Sequence, residues 1–162
     1  MRSERKKLNR ALIDAVVMND AGQVRSLLQQ GADVNAKDNE HEETPLMLAV
    51  KFAGVSLMRM LIESGADVNA RDDKGQTALF FADALSEKFK VLIYAGADMN
   101  ARNDEGETIL IKKVGMAASL SEVEELLRLG IDPSARDSSG ETALGIAENM
   151  GLVKVVERLR EL

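Results

Sequence analysis

GADVNARD, residues 65–72, decides the reading of this chain because it occurs four times. It stands as GADVNAKD at 31–38, GADVNARD at 65–72, GADMNARN at 96–103 and, altered, GIDPSARD at 130–137. The first glycines lie 34, 31 and 34 residues apart, and Thr44, Thr77, Thr108 and Thr142 keep step at 33, 31 and 34. A period of about 33 residues marks an array of stacked supersecondary units, each too small to bury its own apolar face.

The unit itself is read by working outward from residue 65. Upstream, Thr44-Pro45 opens a helix: the hydroxyl can cap it, and proline is tolerated at the first helical position. Leu46, Leu48, Ala49 and Phe52 follow at helical spacing. The chain turns around Ala53-Gly54, and a second helix carries Val55, Leu57, Met58, Leu61 and Ile62. Gly65 is placed to take the left-handed conformation that closes a helix. Residues 66–71 then run out as an arm to an Asp-rich turn at 72–75. One unit is helix, turn, helix and a protruding hairpin.

Three further stretches repeat the opening of the unit: DDKGQTALFFADA at 72–84, NDEGETILIKKV at 103–114 and DSSGETALGIAEN at 137–149. Together with the GADVNA arms they resemble the ankyrin-repeat family, whose pattern is D-x-x-G-x-T-P-L-H-x-A-A, a paired-leucine helix and G-A-D-V-N-A. The resemblance covers about residues 8–162. It implies an all-α solenoid with protruding β-hairpin loops, forming a single domain over 1–162. The units fall at about 8–38, 39–71, 72–102, 103–136 and 137–162. The first unit lacks the Thr-Pro and the hairpin, and its first helix is expected from Leu8 to Met18, as in an N-terminal cap. In the last unit, Arg160 takes the phase that holds Leu28, Ile62, Ile93 and Leu127, which reads as a C-terminal cap. A complete five-repeat array is the expectation.

The middle departs from the pattern. The third unit is two residues short between Leu85 and Lys88, and the fourth has one extra near 117–120. Glu42 replaces the hairpin glycine of the second unit, which should distort that finger. Asn39, Asp72, Asn103 and Asp137 are expected to begin the hairpin turns, bonding their own backbone two residues on. The family's histidine, which ties neighbouring repeats together, is replaced by Met47, Phe80, Ile111 and Gly145, so stacking is expected to rest on apolar packing.

Composition narrows the function classes. The chain is 45% hydrophobic and 30% charged, which suits a folded protein, and it has no tryptophan. Net charge is −6, distributed as +4 over residues 1–10 and −10 over the rest. An acidic body argues against nucleic acid, which needs a basic face. The absence of cysteine removes disulfides, thiolate catalysis and Cys-ligated zinc. No apolar run reaches transmembrane length and no signal peptide is visible. The expected setting is soluble and cytoplasmic, without a membrane, with a periplasmic or secreted home open if a signal peptide has been removed.

No catalytic constellation is apparent. His41, the one histidine, sits among Glu40, Glu42 and Glu43. Such residues can bind a divalent cation, but a turn gives no fixed ligand geometry and nothing completes the set, so no metal or cofactor is expected. Asp33, Asp67, Asp98 and Asp132 recur at equivalent positions, which gives them a repeat-building role in place of acid–base work. Asn35, Asn69 and Asn100 match the asparagine that hydroxylases modify in eukaryotic ankyrin proteins, and their structural reading is a side chain bonding across the turn. Phosphate loops and nucleophile elbows are missing. The chain is expected not to be an enzyme.

One position repays comparison. Eight residues past the threonine phase stand Met18, Phe52, Leu85, Met116 and Met150, apolar in all five units. In the family this position commonly faces the concave groove; as an alternative, the side chains fold back as core filler, which methionine does well. The fingers beside it are acidic, with Glu40, Glu43, Asp73, Asp104, Glu105, Glu107 and Glu141 set against Lys74. An apolar strip with a carboxylate rim suits a protein partner with a basic or apolar patch. The expected partner-binding set is Met18, Glu40, His41, Glu43, Lys51, Phe52, Asp73, Lys74, Leu85, Asp104, Glu105, Met116 and Met150. The resemblance thus implies a monomeric, non-catalytic protein-binding module or scaffold. The alternative is a dedicated inhibitor or immunity-type protein that covers a partner enzyme's active site.

Overall fold

The computed structural model describes residues 2–162; Met1 and the side chain of Arg2, one of the basic groups at the N-terminus, lie outside the described residues. The chain forms successive helix pairs: α1 (Arg2–Val17) with α2 (Ala21–Gln29), and α3 (Pro45–Phe52) with α4 (Val55–Glu63). A single 3₁₀ turn (Ala78–Phe81) pairs with α5 (Glu87–Tyr94), α6 (Ile109–Gly115) with α7 (Leu120–Arg128), and α8 (Ala143–Asn149) with α9 (Val153–Arg160). This is an all-α repeat solenoid. The first helix begins at Arg2, well before Leu8, because residues 2–7 hold no glycine or proline to break it.

The first elements of the pairs make an inner layer: α1 packs on α3, α3 on the 3₁₀ turn, that turn on α6, and α6 on α8. A helix with neighbours on both sides and a partner behind it must be apolar almost all round. Accordingly Pro45 to Val50 are buried without a break, as are Ile109, Leu110, Ile111 and Val114. The second helices keep one apolar stripe, such as Leu57, Met58 and Leu61 on α4 or Val123 and Leu126 on α7. These side chains form one continuous core from Leu12 to Leu159.

The second helices α2, α4, α5 and α7 end as the sequence implies, each before a positive-φ glycine. Gly65 has φ 90° and Gly96 φ 91°, in the left-handed region where a Cβ is strained. The arm beyond then folds locally: Asp67 Oδ1 accepts the Asn69 N–H at 2.9 Å, and Asp98 Oδ1 accepts that of Asn100 at 2.9 Å. The recurring aspartates are turn-formers.

The arm asparagines reach further than expected. Asn35 does not bond across its own turn. Its Oδ1 accepts the Asp67 N–H at 2.8 Å, and its Nδ2 donates to the Gly65 carbonyl at 3.2 Å, both in the next unit. Asn69 repeats this with Asp98 N–H and the Gly96 carbonyl, and Asn100 Oδ1 accepts the Asp132 N–H at 3.2 Å. Asn9 on α1 begins the series, accepting the Asp33 N–H at 2.9 Å. Stacking therefore rests on an amide ladder as well as on apolar packing, which corrects the expectation of packing alone.

The fingers are tighter than hairpins. Each is closed by one backbone bond across its base, from Asp38 N–H to the Glu43 carbonyl, Asp72 to Gln76, Asn103 to Glu107 and Asp137 to Glu141. The last finger also holds an isolated antiparallel bridge, Arg136 with Thr142. Asp38, not Asn39, starts the first of these turns: its Oδ1 accepts the N–H groups of Glu40, His41 and Glu43. That finger is one residue longer than the others, and Glu42 adopts φ 55° where they have glycine. Neighbouring fingers are tied by Asp73 N–H to the His41 carbonyl (2.9 Å), Asp104 to Lys74 (3.0 Å) and Ser138 to Glu105 (2.9 Å).

The two irregular units take different routes. The fourth takes its extra residue between α6 and the Ser119–Glu122 capping box that opens α7, where Ala117 adopts φ 61°. The missing residues of the third leave too little chain for a full first helix, and only the 3₁₀ turn forms. Thr44, Thr108 and Thr142 cap their helices by accepting from Met47, Ile111 and Gly145 N–H. Thr77 has no such bond, and its buried hydroxyl is without a partner. Lys88 of α5 reaches across to the Val50 carbonyl of α3 at 2.7 Å.

Two stability measurements follow. Thr108→Val should cost about 1 kcal/mol in urea unfolding through loss of the cap. Thr77→Val, which replaces an orphan hydroxyl by a methyl, should be neutral or stabilising. Equal losses at both sites would mean Thr77 is bonded. Asn69→Ala, which removes two inter-unit bonds, should cost about 1–2 kcal/mol, and more than Asn100→Ala, which removes one. An unchanged midpoint for Asn69→Ala would deny the ladder a role in stability.

Candidate functional site

The threonine phase sets where each inner helix ends, and the residue eight positions on leaves the core at that end. Phe52 is the last residue of α3, Met116 and Met150 cap α6 and α8, Met18 follows α1, and Leu85 lies in the turn before α5. All five are exposed, from 44% for Met150 to 79% for Met18. Small residues just beyond, Ala53 and Ala118, turn inward instead. The core-filler alternative is thereby removed: these side chains add surface, not packing.

The fingers lead into the opposite, N-terminal ends of these helices, where Thr44, Thr108 and Thr142 cap them. Lys51, next to Phe52, pairs with Glu43 and also places its ammonium 4.2 Å from the centre of the Phe81 ring. Lys112 pairs with Glu107 at 3.3 Å. Glu141 lies over the start of α8, its carboxylate 3.4 Å from where a Cβ on Gly145 would stand. The inner helices thus have finger carboxylates at their start and the apolar row at their end.

The acidic rim is thinner than the sequence suggests. Glu43 is only 5% exposed and is spent on Lys51, so it offers nothing to a partner. Asp104 pairs with Arg71 at 2.9 Å, and Glu42 with Lys37 at 2.9 Å. His41 Nδ1 stands 3.7 Å from the Asp73 carboxylate. Glu40, Glu105, Glu141 and Lys74 are exposed and take part in no ion pair among the described residues. In the last finger, Asp137 accepts the Ser139 hydroxyl at 2.7 Å, and that bond holds its carboxyl below the ordinary aspartate value. The bonding that lowers it is internal to the turn.

Among the described residues no group of three or more His, Asp or Glu side chains converges to hold a metal ion. No described helix is long and apolar enough to cross a membrane. Sequence reasoning missed three placements: Asn9 as the first rung of the ladder, Lys88 on the Val50 carbonyl, and Arg102, whose Nη1 donates to the Gly106 carbonyl at 2.8 Å and braces its finger. Only Arg102 left a signal, since its repeat position recurs as Arg136, whose Nη1 donates to the Gly140 carbonyl at 2.8 Å in the same way.

Stacked helix pairs, left-handed glycine exits and inter-unit amide rungs define a helical-repeat solenoid, a class that acts through its surface. The family model for ankyrin repeats, in three copies, matches residues 12–86. The helix pairs continue in kind beyond the matched stretch, and the architecture is consistent with an ankyrin-repeat protein. No curated protein matches it. Ankyrin repeats generally serve as protein–protein interaction modules, and the family is typically non-catalytic.

The burial of Glu43 separates it from its neighbour in the finger. Glu43→Ala should lower stability by about 1–3 kcal/mol, because it removes the partner of a half-buried ammonium and a charged hydrogen bond. Glu40→Ala should stay within about 0.5 kcal/mol, as surface changes do. Chemical denaturation of the two variants checks this, and equal midpoints would place Glu43 on the free rim after all.

Proposed function

We propose that this protein binds another protein through the face bounded by the helix-end row and the fingers, and that it does so as a monomer without catalysis or cofactor. The observation that carries the reading is the row: one large apolar side chain per unit, exposed in every unit. Exposed apolar side chains cost solubility, and their recurrence at one repeat position supports a binding surface, as exposed apolar patches do. Neighbouring units stack about 10 Å apart, as packed helices do, so the row runs about 40 Å. Phe52 is its aromatic member and has few rotamers to freeze, which suits an anchor. Around it Glu40, Asp73, Glu105 and Glu141 leave a net negative border that favours a basic partner surface and speeds encounter.

A finer reading, a dedicated inhibitor, draws on one feature. The finger from Asp38 to Glu43 is longer than the rest and presents Glu40 and His41 at an exposed tip. Such a projection can enter a partner's cleft.

Affinity capture from native extract, run side by side with wild type and the double variant Phe52→Ala/Met116→Ala, tests the proposal. A partner held by wild type should bind the variant at least about 2 kcal/mol more weakly, the hot-spot range, while the melting temperature stays the same. A partner retained equally by both would place the binding surface elsewhere.

A further inference from the structure

The face between row and fingers has a second property: its backbone is already used. Along the finger edge, the carbonyls of His41, Lys74 and Glu105 accept from the N–H groups of Asp73, Asp104 and Ser138 on the next finger. An extended peptide lying there would need backbone partners for its own N–H and C=O groups, as strand-addition modes require. The ladder between fingers takes up the edge that would supply them. What the face does offer is side chains: an apolar line, and exposed carboxylates on one flank. An α-helix needs only that, because its backbone bonds are satisfied internally.

Spacing agrees. Units stack about 10 Å apart, and seven residues of α-helix rise about 10.5 Å. A helix laid along the row presents the same side every heptad, so apolar residues at i, i+7, i+14 and i+21 meet successive units. Three residues of extended chain also span about 10 Å, so spacing alone does not choose; the occupied finger edge does. The flank adds the charge. Glu40, Asp73, Glu105 and Glu141 are exposed, against Lys74, and the chain outside its first ten residues carries −10.

We infer that the partner engages this face with a cationic amphipathic helix, its apolar residues in heptad register with the row from Met18 to Met150 and its Lys/Arg side toward the fingers. This rests on the concave-face reading above and names the occupant of that face.

The test uses the full chain and three synthetic 28-residue peptides. The first carries Leu at heptad spacing with Lys and Arg on one flank. In the second, prolines within the same composition prevent a helix; in the third, Glu replaces the basic residues. Binding is followed by fluorescence anisotropy, and peptide helicity by circular dichroism. The first peptide should bind at least ten-fold more tightly than either other, gain helicity on binding, and lose at least ten-fold in affinity to Phe52→Ala/Met116→Ala. If the proline peptide binds as well and is weakened by the same variant, the helical occupant is overturned while the docking face stands. Equal binding of the acidic peptide overturns the charge assignment. No binding of the first peptide, or binding that the double variant leaves intact, overturns the inference.

Discussion

The side-chain amide of the arm asparagine is the contact on which the register of this solenoid depends. A single helix pair exposes apolar surface before and behind it, so the inner layer holds together only if units stack in one alignment. Apolar packing supplies most of the driving force but tolerates sliding, since Leu, Val and Ile faces fit one another in several offsets. The rungs do not. Asn35 and Asn69 each give one acceptor and one donor to backbone groups of the next unit, 2.8–3.2 Å away, and those groups lie at the left-handed turn after its second helix. One amide thus fixes where the next helix pair ends and where its arm begins.

The consequence for function is geometric. With arms in register, the fingers line up closely enough to bond one another. In four units the row residue stands at or just past the end of the inner helix, and in the third Leu85 stands in the turn before α5. Five apolar side chains scattered over more than a hundred residues thus come to the surface at one repeat position. The internal ion pairs belong to the same construction: Lys51 with Glu43 and Lys112 with Glu107 join inner helix to finger base.

Most of the architecture was legible in the sequence because it is periodic. Gly65 and Gly96, the capping threonines and the turn-forming aspartates each do the same work several times, and repetition exposes a role that one instance would hide. What stayed illegible is what happens between units or only once. The reach of Asn35 depends on where the next arm lies, and a one-residue shift from Asn39 to Asp38 depends on Glu42 accepting a positive φ. The third unit's collapse to a 3₁₀ turn follows from its shortened chain, but the orphan Thr77 hydroxyl and the Lys88 bond to Val50 do not. At the candidate site, the row's positions could be read but not its direction, because methionine serves core and surface alike. The free rim was overstated for a related reason: sequence counts carboxylates, whereas Glu43, Asp104 and Glu107 are each held by a basic side chain.

The methionines report on the central claim, that the helix-end row is the docking face. Met18, Met116 and Met150 lie in it, Met47 and Met58 are fully buried, and Met60 sits half-buried on α4 behind. Methyl NMR spectra of the ¹³C-methionine-labelled protein, recorded with and without the captured partner, separate these positions. The account predicts shifts or broadening at Met18, Met116 and Met150, with Met58 and Met60 unmoved. Row methyls that stay silent while Met60 responds would put the partner on the back of the solenoid and contradict it.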